Sequence, residues 1–189
     1  MRMITSINSH ILRNVTVITR YCAIERPYWL AFLNHYKSFG VMNIHVCVQK
    51  KEEYEEVQCF KNPDGLNVIC HMLSDDCSPD LALIRFDLSD IKARADLVMH
   101  IDCDEYFVAG LGSLAVEDIF NSHNEPVGLD IPWIMNPVID PSSVPAGGYF
   151  GAGTKQIARA KDIIGVLSDH KFLLRKKDIF CQNGISEIQ

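Results

Sequence analysis

Ala95–Phe107 reads ADLVMHIDCDEYF, an apolar strand, Leu97–Ile101, that runs directly into Asp102-Cys103-Asp104-Glu105. In an open α/β sheet, ligands gather outside the carboxyl ends of the strands, which is where these acids fall. Two carboxylates held close together repel unless a cation neutralises them. Hard oxygen donors of this kind suit magnesium or manganese, which in turn bridge phosphate oxygens. The plainer alternative is a solvated turn. For the D-x-D pattern alone the two readings stand about even, and the buried strand ahead of it favours a site.

Upstream, the apolar pattern alternates between two periods. Val15–Thr19 (VTVIT) is short and β-branched, as a strand should be. Trp29, Leu33, Tyr36 and Phe39 recur at helical spacing between Pro27, which suits a helix start, and Gly40, which suits a helix end. Asn43–Val48 reads as a second strand, Lys51–Phe60 as a short charged helix or loop, and Leu66–His71 as a third strand. Ser78-Pro79-Asp80 opens a helix whose face carries Leu81, Ile84, Leu88 and Ile91. Strand and helix alternate at least three times, which predicts an α/β domain with a mixed, mainly parallel central sheet.

Downstream the pattern is less regular. It predicts a helix over Ser113–Asn121, a strand over Pro126–Ile131, and loops from Pro132 to Gly153. Thr154 then caps a helix bearing Ile157, Ala160, Ile164 and Leu167, and His170–Leu174 forms a final short strand. Residues 148–155 (GYFGAGTK) nearly spell a P-loop, but the last two residues are transposed and no strand precedes them, so a P-loop is rejected. Glycines ahead of a helix start could still offer N–H groups to an anion.

Composition narrows the classes. At 189 residues, with 48% hydrophobic and 22% charged residues, the chain is an ordinary globular protein of one domain, 1–189. Its 18 lysines and arginines against 24 acids, a net charge of -6, argue against nucleic acid as the main partner. No apolar stretch approaches the ~18–20 residues of a membrane span, and no signal-peptide core is visible. The seven cysteines are scattered and never form CxxC, which predicts reduced thiols in a cytoplasmic protein.

The order of these pieces resembles the family-2-like nucleotide-sugar glycosyltransferases, with their GT-A, Rossmann-like fold. After the first strand that family carries an asparagine-glutamate pair and a helix reading W-x-x-x-H-x-x-x-G. Glu25, Trp29 or Phe32, His35 and Gly40 match, while Ile24 replaces the asparagine. The acid strand matches closely, Pro132-Trp133 resembles the tryptophan-bearing loop without its Phe-Gly, and the similarity spans Val15 to Leu174.

The resemblance implies a metal-dependent hexosyl transfer from a nucleotide-sugar donor, with UDP the commonest base, to a hydroxyl acceptor. Thr19, Arg20, Tyr21, Asp102 and Lys155 would bind the donor. Asp102, Asp104 and His170 would hold Mn2+ or Mg2+, with Asp104 the direct ligand, and the ion would assist departure of the diphosphate. Asp130 would be the base of an inverting enzyme. Trp133 and Tyr149 would stack on acceptor sugars. Against each stands an ordinary role: a surface charge for Arg20, a structural histidine for His170, an idle loop carboxylate for Asp130, and core packing for the aromatics. His35 and Trp29 are read as structural. Two other classes stay open. One is a non-catalytic sugar-nucleotide-binding module. The other is a haloacid-dehalogenase-like phosphatase, which shares the strand-D-x-D pattern but places it near its N-terminus.

Overall fold

The strand before the acids, β4 (Leu97–His100), lies in the middle of a seven-stranded sheet ordered β3-β2-β1-β4-β6-β5-β9. The computed structural model describes residues 10–108, 114–122, 126–135, 149–167, 171–175 and 179–181. The other strands of this sheet are β1 (Val15–Arg20), β2 (Asn43–Val48), β3 (Asn67–Met72), β5 (Gly128–Met135), β6 (Tyr149–Arg159) and β9 (Ile179–Cys181). β3, β2, β1 and β4 run parallel, β6 is antiparallel to both β4 and β5, and β9 is parallel to β5. The mixed, mainly parallel α/β sheet expected from the alternation is therefore present.

Helix α1 (Arg26–Ser38) crosses from β1 to β2 and buries Trp29, Phe32, Leu33 and Tyr36, the i, i+3, i+4, i+7 stripe of a half-buried helix. Burying each such side chain contributes about 1.5–3 kcal/mol relative to exposure. Pro27 sits in its first turn. Gly40 ends it at φ 97°, donating to the Lys37 carbonyl at 3.0 Å while Val41 N–H reaches the Tyr36 carbonyl at 3.1 Å. With α2 (Lys51–Cys59) and α5 (Val116–Phe120), α1 covers one face of the sheet. The other face is covered by α3 (Pro79–Ile84), α4 (Ser89–Arg94) and a small antiparallel pair, β7 (Ile163–Val166) with β8 (Phe172–Leu174).

Three expectations are corrected. The single helix through Leu81, Ile84, Leu88 and Ile91 is two short ones, because the Asp87 carboxylate accepts from both the amide (2.8 Å) and hydroxyl (2.9 Å) of Ser89 and starts a new helix there. Helix and loop are both replaced after Pro126. Gly128–Met135 and Tyr149–Arg159 pair along their length, with a register shift between Pro132 and Ile134, where proline offers no N–H to the ladder. Residues 154–167 thus form β6, a single 3-10 turn (Ala160–Asp162) and β7 rather than a helix. The near P-loop lies largely in β6, so no helix start follows its glycines. Among the described residues, Cys22, Cys47, Cys59, Cys70, Cys77 and Cys103 are free thiols, and no helix is long and apolar enough to cross a membrane.

Candidate functional site

From β1 the chain moves outward through β2 to β3, then returns to place β4 on the other side of β1. The crevice between the carboxyl ends of β1 and β4 is the switch point at which such sheets bind ligands. Arg20 ends β1, and the Ile101 amide, just past β4, still bonds the Ile18 carbonyl at 3.0 Å. Asp102 follows at once.

Cys103 turns inward. Its thiol donates to the Arg20 carbonyl at 3.0 Å and lies 3.4 Å from the Thr19 hydroxyl, and burial pushes its ionisation well above the usual thiol range. With Cys103 spent on joining β1 to the acid turn, Asp102 is left half-buried and Asp104 exposed. Glu105 folds back so that its Oε2 accepts from the Asp102 amide at 2.9 Å. Lys155, from β6, reaches across β4 to place Nζ 2.8 Å from Glu105 Oε2 and 3.7 Å from Asp102 Oδ2. Burial pushes the Glu105 carboxyl up, against the pull of Lys155 and the Asp102 amide.

Arg20 flanks this group from β1. Its Nη1 lies 2.5 Å from Asp80 Oδ1 at the start of α3. Burial works against its charge, but Asp102 and Asp80 outweigh burial and raise its ionisation above the ordinary value. The site therefore carries two cations and several carboxylates at the end of a dry sheet.

The structure brings together Arg20, Asp102, Asp104 and Lys155 of the expected residues. Thr19 stands behind them, fully buried on Cys103. Tyr21 does not face the crevice. It packs edge-on against Trp29 with ring centroids 5.2 Å apart, and burial pushes its phenol up to about 12. Asp130 is separated as well. Strand alternation puts it beside Gln156, which donates to its Oδ1 at 3.2 Å, on the sheet face opposite Lys155. Burial raises its carboxyl. Trp133 lies in β5 at the register shift and Tyr149 at the start of β6, and the described side chains do not include theirs. His170 lies outside the described residues.

Sequence reasoning passed over Glu105, Asp80 and Tyr36. Glu105 was visible as the third acid of DCDE. Asp80 read as a helix-start acid, and only the fold shows that α3 delivers it to Arg20. Tyr36 read as one member of the apolar stripe.

The acids suit a divalent ion of the magnesium type. Among the described residues no three His, Cys, Asp or Glu side chains converge as a closed metal cage. Such an ion needs none, since it takes one or two carboxylates and fills its shell with phosphate oxygens and water.

No protein-family model matches the sequence, and no curated protein matches it either. Among solved structures the chain is similar to a CMP:2-keto-3-deoxy-manno-octonic acid synthetase complexed with CTP. The identity is 16%, the TM-score 0.41, and the match covers 78% of this chain and 74% of that one. It is also similar to a cytidylyltransferase from Leptospira borgpetersenii serovar Hardjo-bovis (strain JB197). There the identity is 10%, the TM-score 0.41, and 78% of this chain aligns with 60% of that one. The expectation of sugar transfer from a UDP-sugar is corrected at this point. Both similar proteins are named for handling cytidine nucleotides and neither for glycosyl transfer.

Proposed function

We propose that the crevice between β1 and β4 binds the phosphates of a nucleoside triphosphate and that the chain is a nucleotidyl-transferring enzyme, on a GT-A-like sheet. One observation carries the reading: the buried Lys155 ammonium held 2.8 Å from Glu105 and 3.7 Å from Asp102, beside Arg20, at the sheet's switch point. A cation bound by Asp102 and Asp104 supplies charge neutralisation at the phosphates. The protein's own groups do the rest. Arg20 offers a planar fork to phosphate oxygens, in exchange for its exposed partner Asp80. Lys155 sets the spacing of the acids and adds a fixed positive charge where a phosphate would gather negative charge. Glu105, bonded to the Asp102 amide, orients the turn rather than meeting the ligand.

Titration of CTP, UTP, ATP and GTP with magnesium, manganese or chelator, followed by pyrophosphate release when a sugar acid is added, tests this directly. Binding by one triphosphate that needs the ion and is lost in Asp104→Ala is the expected result, and pyrophosphate release then identifies the transfer. Indifference of every nucleotide to both ion and Asp104 sinks the reading. Binding without release would leave a nucleotide-binding module.

A further inference from the structure

The acid turn is held from α1 as well as from β1 and β6. Tyr36 is fully buried in α1, yet its hydroxyl is used twice: it donates to the Glu105 carbonyl at 3.1 Å and accepts from the Phe107 amide at 3.2 Å. From the preceding position of the same helix, His35 Nε2 lies 2.7 Å from the Phe107 carbonyl. The backbone of residues 105–107 has left the sheet and has no strand to pair with, so its polar groups need partners, and α1 provides them. Glu105 is the hinge of the arrangement. Its backbone carbonyl is fixed by Tyr36, and its side chain fixes both the Asp102 amide and Lys155.

We infer that Tyr36 is a positioning residue for the acid turn: through the two ends of Glu105 its hydroxyl sets where Asp102 and Asp104 stand. A tyrosine in this stripe gives the core no more than phenylalanine would, since Phe32 packs beside it with centroids 4.7 Å apart. The hydroxyl is what differs. The consequence for ion binding rests on the proposed function, whereas the consequence for the backbone does not.

Tyr36→Phe keeps the ring and removes only the hydroxyl. Two readouts separate the claims. Amide hydrogen exchange should speed up about tenfold at Phe107, which loses its acceptor, and also at Asp102, which Tyr36 never touches, while Val17 and Ile44 in the sheet keep their protection. Acceleration at Phe107 alone would overturn the inference, because the hydroxyl would then serve only its own neighbour. Titration of Mn2+ alone should show about tenfold weaker binding in Tyr36→Phe, and unchanged binding in Val57→Ala, a core variant of the same cluster that is remote from the turn. Equal weakening in both variants would mean general loosening and would also overturn it. If the native chain binds no Mn2+, the cation reading fails, and the exchange data still decide the positioning role. Should Tyr36→Phe not fold, His35→Leu removes the second hold on the turn and is judged by the same Asp102 amide.

Discussion

Replacing Lys155 by methionine tests the electrostatics on which the site reading depends. Methionine keeps the length and the apolar stem, so the change is close to removal of one charge. The Lys155 and Glu105 side chains are only 10% and 11% exposed, and that of Asp102 is 21% exposed. Breaking a buried pair usually costs about 3–5 kcal/mol, and the partial access of water to Asp102 places this case lower, at about 2–3 kcal/mol near neutral pH. The cost must depend on pH. Lys155 pulls the Glu105 ionisation down against burial, so without it the folded-state value rises further above the unfolded one. A carboxyl raised in the fold lowers stability above its unfolded pKa, and the penalty is relieved as pH falls through the raised value. Urea unfolding of both proteins at about pH 7.5 and about pH 5 should therefore show the gap shrinking on acidification, to about 1 kcal/mol or less. Acid effects elsewhere in the chain are common to both proteins and cancel in the difference. A gap that stays constant or widens toward pH 5 would refute the assignment of Lys155 as counter-ion to a buried Glu105.

The opposite sheet face holds a second pH-dependent feature. His45 and His71 stack with centroids 5.0 Å apart and Nδ1 to Nε2 at 2.7 Å, beside Phe86 and with Asp90 and Arg94 of α4 as the nearest charges. Burial and then His71 lower His45 from 6.5 to about 4, and burial lowers His71. A depressed histidine contributes stability above its unfolded pKa, so the native protein should lose on the order of 2–3 kcal/mol between about pH 6.5 and about pH 4. His45→Leu should flatten that slope in pH-dependent denaturation, and an unaltered slope would count against the pair. Arg20→Met should weaken nucleotide binding about tenfold while changing stability by less than about 1 kcal/mol, because its bond to the exposed Asp80 is screened. Calorimetric titration alongside a thermal melt reads both, and a large fall in stability with affinity intact would reverse the role given to Arg20.

The first hundred residues were legible because each element there obeys one local rule. Trp29, Leu33 and Tyr36 face the core at helical spacing, Gly40 ends their helix with a positive φ, and β1 and β2 are buried almost throughout because helices cover both faces. The acids stood out because Asp102, Asp104 and Glu105 crowd three carboxylates into four positions just past a strand as buried as β4. The second half misled for a physical reason that also bears on function. Ile157, Ala160, Ile164 and Leu167 have helical spacing, but Ile164 is 54% exposed and Leu167 42%, so the stripe never faces one core. Meanwhile Lys155 and Gln156 are consecutive polar residues that are both buried in β6, where a half-buried strand would alternate. They are tolerated inside because each is satisfied from a distance: Lys155 by Glu105 and Asp102, and Gln156 by Asp130 and the Phe172 amide at 3.0 Å. Local pattern fails where long-range polar partners replace apolar burial. In this chain that failure and the acid crevice fall on the same side chain, Lys155, as expected of a strand whose sequence serves a site before it serves its own secondary structure.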